Sequence, residues 1–182
     1  MSNGKAKGSN FEREIAKSLS IWINGAEKPY VFWRSPSSGS LATIAESMDA
    51  SGDLIALRPE GRFLTDRYSI EMKTGYPDAD FHKHFKNNKN NIIEDFWKQC
   101  TRDAIKAKKW AMLIFRKKGY QPIIGVEKAS ISSTKISITA SLTLCFECDL
   151  PEIIFYDFKK FVEAVTPEII EHVSLHRGMN ET

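Results

Sequence analysis

The hexapeptide Tyr68-Ser69-Ile70-Glu71-Met72-Lys73 alternates apolar and polar side chains, which is the pattern of a half-buried β-strand. Successive side chains of a strand point to opposite faces, so Glu71 and Lys73 lie on the same face. Asp53 opens an upstream apolar run, Asp53–Leu57, which predicts another strand. If the two strands are neighbours, both carboxylates converge beside the lysine. Two carboxylates and a lysine at one sheet edge suit a divalent cation and a phosphate.

The composition is that of a globular protein with one core. The chain has 182 residues, of which 42% are hydrophobic and 27% are charged, and this length fits a single domain. No apolar run approaches the ~18 residues of a bilayer span, and from the polar, lysine-bearing N-terminus we expect no signal peptide. The 3 cysteines favour a reducing compartment over a disulfide framework, so we expect a cytoplasmic protein. A net charge of +3 permits nucleic-acid binding without arguing for it.

The N-terminal segment predicts an arm followed by a helix. Residues 1–7 are expected to form a flexible arm, in which Lys7 could touch phosphate. The helix is predicted over about Asn10–Asn24, with Ser9 as its N-cap and Glu12 completing a capping box. Glu12 could also reach the metal site from this first turn, and the two roles are compatible.

Two strands and a polar loop are predicted before the central hexapeptide. An aromatic strand, Tyr30–Arg34, leads into a loop of serine and glycine, residues 35–40. Such a loop lets the backbone approach a phosphate closely, although an ordinary surface loop has the same composition. The turn at Pro59–Gly61 predicts that Asp53–Leu57 and Phe63–Lys73 form an antiparallel hairpin.

A second helix is predicted over about Ile92–Lys109. Its buried stripe consists of Ile93, Phe96, Cys100, Ala104 and Ala107, and its other faces carry Lys98, Arg102, Lys106, Lys108 and Lys109. Residues 82–109 contain eight basic and three acidic residues, a net charge of +5. This surface, Lys98, Arg102 and Lys106 in particular, predicts contacts with DNA phosphates, with a solvated helix surface as the alternative.

The remaining chain predicts three further elements: a hairpin of Trp110–Phe115 and Gln121–Val126, strand-like alternation over residues 130–146, and a closing helix over Phe155–His172. We therefore expect an α/β fold, with a central mixed sheet flanked by helices. Residues 1–128 would form the core, and residues 129–182 would form a β/α extension packed on the same domain.

The converging charged groups suit phosphodiester hydrolysis. Carboxylate-bound Mg²⁺ neutralises the phosphate, activates water and stabilises the leaving oxygen. Asp53 and Glu71 would be the ligands, with the Met72 carbonyl as a third and Glu12 as an outer ligand. Lys73 would orient the attacking water or stabilise the developing negative charge. Against this, most Glu-x-Lys pairs on strands are solvent-face ion pairs worth little.

Four motifs in order resemble the PD-(D/E)XK nuclease superfamily, and most of all the archaeal Holliday junction resolvases of DNA recombination. They are Lys7-Gly8-Ser9 with Glu12-Arg13-Glu14, Arg34 through Ser40, Gly52 through Leu57, and Ile70-Glu71-Met72-Lys73. The resemblance covers about residues 7–115. It implies a restriction-endonuclease-like core and a Mg²⁺-dependent homodimer, with Mn²⁺ as a substitute ion, that cuts two symmetric strands of a four-way DNA junction.

The resemblance also implies roles for individual residues. The metal-site acids would be Glu12, Asp53 and Glu71, the catalytic lysine would be Lys73, Ser38 would help at the scissile phosphate, Gln99 would lie near the site, and Arg34 and Ser40 would contact DNA. The chain departs from the family in Gly52, where the superfamily pattern has proline. The C-terminal third from about Ser130 resembles nothing in the resolvases, which leaves junction specificity open.

Other functions remain as alternatives. A duplex-cutting or nicking endonuclease of restriction or phage type would use the same site. A DNA-binding protein that does not cut has no need of all four site residues. A zinc site is a separate alternative, because Cys145 and Cys148 could combine with His172 and His176; otherwise the thiols are buried or idle.

Overall fold

The computed structural model describes residues 3–35, 51–86, 91–132, 138, 141–146 and 150–175. Four residues with predicted roles, Ser38, Ser40, Cys148 and His176, lie outside these ranges.

The described chain alternates helices and short strands. In order, it forms α1 (Asn3–Asn24), β1 (Phe32–Arg34), β2 (Leu54–Ala56), α2 (Arg62–Thr65), β3 (Tyr68–Thr74), α3 (Ile92–Lys106), β4 (Trp110–Arg116), β5 (Ile123–Glu127), β6 (Ser141–Leu144), β7 (Ile153–Asp157), α4 (Phe158–Ala164) and α5 (Pro167–Glu171). Short 3-10 helices lie at Pro59–Gly61, Phe81–Lys86 and Lys128–Ile131.

The central sheet has the strand order β3-β4-β5-β7-β6. β3 and β4 are parallel, and the following pairs are antiparallel, so the predicted mixed sheet flanked by helices is confirmed. α3 lies between β3 and β4 in the chain and supplies the crossover that a parallel pair requires. β6 and β7 join the same sheet, while the division of the chain at residue 128 stays a prediction.

Two apolar cores cover the two faces of this sheet. On one face, α1 packs against β3, with Phe11, Ile15, Ile70 and Met72 in one core. On the same face, α4 packs against β5 and β7, and α5 packs against α2. On the other face, α3 packs against β3 and β4, and Ile153 and Phe155 of β7 belong to the same core. β4 is therefore buried on both faces along Trp110–Phe115, which explains its continuous apolar sequence.

The predicted start of the first helix is wrong. α1 begins at Asn3 rather than Asn10, so residues 3–7 are helical where an arm was expected. Lysine and alanine favour helix strongly enough to offset isolated glycines, which cost about 1 kcal/mol each. Ser9 therefore lies inside the helix and caps nothing; its hydroxyl accepts a hydrogen bond from Arg34.

The predicted antiparallel hairpin is also wrong. β2 pairs with β1 instead, and residues 59–65 are helical rather than a simple turn. Leu64 is 2% exposed, and burying this side chain favours the helical path. The chain then returns as β3 in the same direction as β2, and the two segments meet through a parallel bridge between Gly52 and Ile70.

Two further boundaries differ from prediction. Phe155 belongs to β7 rather than to a helix, because β5 pairs with residues 153–157. α3 ends before Lys108, whose positive φ of 57° turns the chain, so Lys109 is 3% exposed instead of lying on the surface. Within the ranges that the structure describes, no helix is long and apolar enough to cross a membrane.

Candidate active site

β3 lies at the end of the central sheet and carries Glu71 and Lys73 on the face covered by α3. Their register partners on β4 are Leu113 and Phe115, and both belong to the core beneath α3. Glu71 is only 7% exposed, and its Oε1 forms an ion pair with Lys73 Nζ. The two side chains thus share a face, as the alternation predicts.

Asp53 reaches the same strand from the residue before β2. Its backbone N–H donates to the Ile70 carbonyl at 2.7 Å, and its Oδ2 accepts from the Met72 N–H at 2.8 Å. In a continuing parallel ladder a backbone carbonyl would accept that second bond; here the carboxylate takes its place. The two bonds anchor Asp53 to the strand residues on either side of Glu71.

Gly52 makes this close approach possible. Its φ of +86° is one that side-chain-bearing residues rarely adopt, and a Cβ built on it would lie 2.5 Å from the Ile70 carbonyl oxygen. Proline fixes φ near −65° and could not adopt this conformation. The departure from the superfamily pattern at Gly52 therefore has a structural reason in this chain.

Gln99 on α3 holds the second carboxylate. Its Nε2 donates to Glu71 Oε1 at 3.0 Å. The helix is fixed at its start by Asn91, whose side chain caps the N–H of Ile93, and by the buried stripe that packs against the sheet. Four of the five predicted members of this stripe, Ile93, Phe96, Cys100 and Ala104, are buried. The fifth, Ala107, is the C-cap residue and is only half-buried. A polar partner of this kind orients a metal ligand and is often as important as the ligand itself.

Glu12 approaches from α1 through an arginine. Its Oε2 lies 3.8 Å from Arg34 NH1, and the same guanidinium donates to Ser9. The next residue, Ser35, donates its N–H to the Asp53 carbonyl at 2.7 Å. Arg34 thus ties α1 to the chain beside Asp53, and the DNA contact that the resemblance implies for it stays a prediction.

Burial and mutual repulsion shape the charges of the site. Burial raises the pKa of the Asp53 carboxyl. For Glu71 and for Glu12, burial first and the charge of Asp53 second raise the pKa. Burial alone would lower the pKa of Lys73, but its hydrogen bond and charge interaction with Glu71 outweigh this and raise it. Lys73 is therefore a stable ammonium group among crowded carboxylates.

The donor set fits a hydrated divalent cation. The other described residues donate no hydrogen bond to Asp53 Oδ1 or to Glu71 Oε2. Within the described ranges, however, no group of three or more His, Cys, Asp or Glu side chains is close enough to hold an ion by itself. Mg²⁺ keeps several waters and needs only one or two carboxylates, so Asp53 and Glu71 suffice, and a cation would relieve their repulsion.

Most of the basic residues predicted to bind DNA form ion pairs with acidic neighbours. Lys7 is exposed on α1. On α3, Lys98 forms an ion pair with Glu94 at 2.6 Å. The Asp103 carboxylate pairs with Arg102 at 3.3 Å and with Lys106 at 4.0 Å.

Sequence reasoning missed Asp103. It lies one helical turn beyond Gln99, and its charge contributes to the raised pKa of Asp53 and Glu71 after the larger effect of burial. The spacing of four residues from Gln99 on a helix is the signal that could have found it. The zinc hypothesis stays a prediction; Cys145 Sγ lies 3.0 Å from Glu152 Oε1 and His172 Nδ1 lies 2.6 Å from the Glu168 carbonyl.

A mixed sheet whose terminal strand carries Glu-x-Lys, with an aspartate anchored beside it, defines a nuclease core of the PD-(D/E)XK class. The chain belongs to the family described as "Phage putative PDDEXK endonuclease", whose model matches residues 3–172. No match was found among curated proteins or among solved structures. The chain is therefore a nuclease, its substrate is DNA, and nucleases of this superfamily typically use divalent metal ions. The family match names no junction resolvase.

Proposed function

We propose that this chain is a Mg²⁺-dependent endodeoxyribonuclease in which Asp53 and Glu71 bind the metal and Lys73 is the catalytic lysine. The observation that carries the proposal is the convergence of these three side chains on β3. One carboxylate is held by a backbone N–H at 2.8 Å and the other by Gln99 at 3.0 Å. Such fixed hydrogen bonds are typical of a preorganised site.

The residues of the chain have separate tasks. When bound, Mg²⁺ supplies Lewis-acid activation of the scissile phosphate and lowers the pKa of water. Asp53 and Glu71 present oxygen atoms to the ion, with the Met72 carbonyl and Glu12 as further ligands. The Lys73 ammonium, whose raised pKa keeps it protonated, donates hydrogen bonds where negative charge develops on the phosphate.

The four-way DNA junction is the substrate that we propose. The support is the order of four motifs shared with the archaeal resolvases. Two symmetric cuts need two copies of the site, which a two-fold homodimer would supply. Lys7 and the basic residues Lys98, Arg102 and Lys106 would contact phosphates, and Ser38 and Ser40 belong to the loop that would approach the scissile one.

A duplex-cutting or nicking endonuclease is the second candidate. The observation that favours it is the match to a family of phage endonucleases over residues 3–172. Both candidates use the same carboxylates and lysine, so the site alone does not separate them. They differ in the DNA structure that is cut.

Cleavage of labelled four-way junction, duplex and single-stranded DNA tests the proposal. Each DNA is incubated with Mg²⁺, Mn²⁺ or EDTA, with the wild-type protein and with Asp53→Asn. We expect paired symmetric cuts in the junction, absent in EDTA and in the variant. Cuts in plain duplex would keep the catalytic site and replace the substrate by the second candidate. Tight DNA binding without cleavage in either metal would leave only a binding protein.

A further inference from the structure

A row of four paired residues crosses the sheet from the catalytic lysine. Lys73 pairs with Phe115 of β4, Phe115 with Ile123 of β5, and Ile123 with Asp157 of β7. Directly paired residues of neighbouring strands point to the same face, so the whole row lies on the face that carries Glu71. The row therefore leads from the active site along the end of the sheet.

Beyond Lys73, this row forms the floor of a cavity of about 570 Å³. The walls come from residues 79–82, which follow β3, and from residues 117–121, which join β4 to β5. A cavity of this size lies in the range of small-ligand pockets, which combine an apolar lining with a few polar groups.

The cavity is aromatic at its floor and at its rim. The ring of Phe81 packs 6.0 Å from that of Phe115 and 5.1 Å from that of Phe155, centroid to centroid, so these rings are fixed. Tyr120 at the rim is 66% exposed, and Lys117 Nζ lies 5.7 Å from the centre of its ring. Lys117 also lies 3.7 Å from Asp80 Oδ2, an ion pair that an incoming phosphate would replace, and Asp80 and Asp157 both line the cavity. Fixed apolar rings with an accessible aromatic ring and a lysine beside it suit a nucleobase and its flanking phosphate.

We propose that this cavity binds an unstacked nucleobase of the DNA strand whose scissile phosphate lies at Lys73. The proposal rests on the endonuclease function proposed above. Neighbouring strands are about 4.8 Å apart, and the floor residues lie one to three strands from Lys73. The cavity floor is therefore roughly 5–15 Å from Lys73, and the bound base belongs to a nucleotide close to the cut. Tyr120 stacks on the base, Gln121 hydrogen-bonds its edge, and Lys117 contacts the adjoining phosphate.

This site ties DNA structure to cleavage. A base inside intact duplex is paired and stacked, so it cannot enter the cavity without being extruded, which costs a few kcal/mol. Bases at branch points, in loops and in single strands enter more readily. The cavity therefore selects DNA in which the strand next to the cut is locally unpaired.

Abasic scanning tests the proposal on the DNA that the wild-type protein cuts fastest. Single nucleotides around the scissile phosphate are replaced one at a time by abasic ones, and kcat/KM is measured with Mg²⁺. We expect roughly a tenfold loss at one position, the size of a base–aromatic stacking contact. Tyr120→Ala should lower kcat/KM on intact DNA by a similar factor and abolish the effect at that position, because the two changes remove one contact.

Two variants serve as controls. Tyr120→Phe keeps the ring, so it should retain the loss at the sensitive abasic position that Tyr120→Ala abolishes. Ile105→Ala removes an apolar side chain of similar exposure, 55%, on α3 and should keep the wild-type abasic profile. Because Tyr120 is mostly exposed, its substitution leaves the core intact, and a thermal unfolding curve verifies this.

Three outcomes would overturn the cavity site. One is a flat abasic profile in the wild type, and another is an abasic effect that persists unchanged in Tyr120→Ala. The third combines a flat abasic profile with inhibition by free deoxynucleoside monophosphates that is lost in Tyr120→Ala. This combination would assign the cavity to free nucleotides instead of DNA.

Binding in EDTA separates this proposal from the proposed function. Affinity for the same abasic series is measured by fluorescence anisotropy. Position-specific, Tyr120-dependent binding without cleavage in any metal would retain the cavity site and remove the endonuclease. Metal-dependent cleavage with a flat abasic profile in both assays would retain the endonuclease and remove the cavity site.

Discussion

Two regions of this protein bring carboxylates and cations together in very different ways. We define the β3 edge as Asp53, Glu71, Lys73 and Gln99. It places Glu71 in the protein interior, only 7% exposed, with Asp53 half-buried beside it. The α3 surface, defined as Lys98, Arg102 and Lys106, is open to water. The side chains of Arg102 and Lys106 are 63% and 72% exposed.

The difference shows that burial and hydrogen-bond partners from distant segments, rather than charge alone, prepare carboxylates for a functional role. On the α3 surface the partners lie on the same helix, and such exposed pairs contribute about 0–1 kcal/mol each. At the β3 edge, each carboxylate has a hydrogen-bond partner from another part of the chain, Met72 for Asp53 and Gln99 for Glu71. Burial then keeps water from replacing these bonds.

The largest effect is expected from Asp53→Asn. The amide is isosteric and its oxygen can still accept from the Met72 N–H, so the fold should be kept. It lacks the negative charge that binds a cation, and we expect cleavage to fall by about 10³-fold or more. Single-turnover cleavage measures the effect, and urea denaturation verifies the fold. Cleavage close to that of wild type would remove Asp53 from the site.

Gly52→Ala should displace Asp53 from β3 by distorting the backbone at residue 52. The added Cβ meets the Ile70 carbonyl, and the positive φ adds a cost of about 1–2 kcal/mol. A displacement of Asp53 by even 1 Å can lower activity about 100-fold. Gly25→Ala is the matched control, since Gly25 has a φ of +68° but nothing within 4 Å of a Cβ.

The comparison between these two glycines separates the cost of a positive φ, which both share, from the steric clash of an added Cβ, which occurs only at Gly52. Gly25→Ala should lose stability without losing cleavage, whereas Gly52→Ala should lose both and lose more stability in urea denaturation. Equal activities for the two variants would show that the close approach of Gly52 to β3 does not position Asp53.

Gln99→Ala should have a smaller effect, because it removes the partner of a ligand rather than the ligand. Loss of such a partner commonly lowers metal affinity or activity by about 10–100-fold. Titration of cleavage with Mg²⁺ should show a higher metal requirement. Ile105→Ala, which changes an exposed side chain on the same helix, should change cleavage only slightly. If both variants behaved alike, Gln99 would have no positioning role.

Substitution of Lys98, Arg102 and Lys106 by Gln should have the smallest effect at moderate salt. Each lost phosphate contact should lower the slope of log K against log salt by about 0.9, while stability should change little. Lys128→Gln is the control, since Lys128 forms an exposed pair with Glu152 at 3.0 Å elsewhere. An unchanged slope in the triple variant would show that the α3 surface is solvated and does not contact DNA phosphates.

Local periodicity explains what could be predicted from the sequence. The alternation of residues 68–73 placed Glu71 and Lys73 on one face, because the period of a strand depends only on its backbone. The helical spacing of Ile93 and Phe96 on α3 likewise predicted a stripe that is buried. The motifs themselves indicated the nuclease superfamily, to which the family match assigns the chain.

Non-local contacts explain what could not be predicted. The hairpin prediction failed because burial of Leu64 favours a helical return, and this depends on the surrounding core. The capping box failed because α1 extends through Ser9, which bonds to Arg34. The cavity floor at Ile123 has no local signature, because it depends on the pairing of strands that are distant in the chain.

The sequence by itself determined the chemical groups of the site and the shared face of Glu71 and Lys73, since both follow from residue type and strand period. Only the tertiary structure decided that Asp53 joins them. Gly52 must adopt a positive φ beside Ile70, and the Met72 N–H must meet a carboxylate instead of a carbonyl. Hydrogen bonds between segments that are distant in the chain cannot be derived from the local pattern of either one.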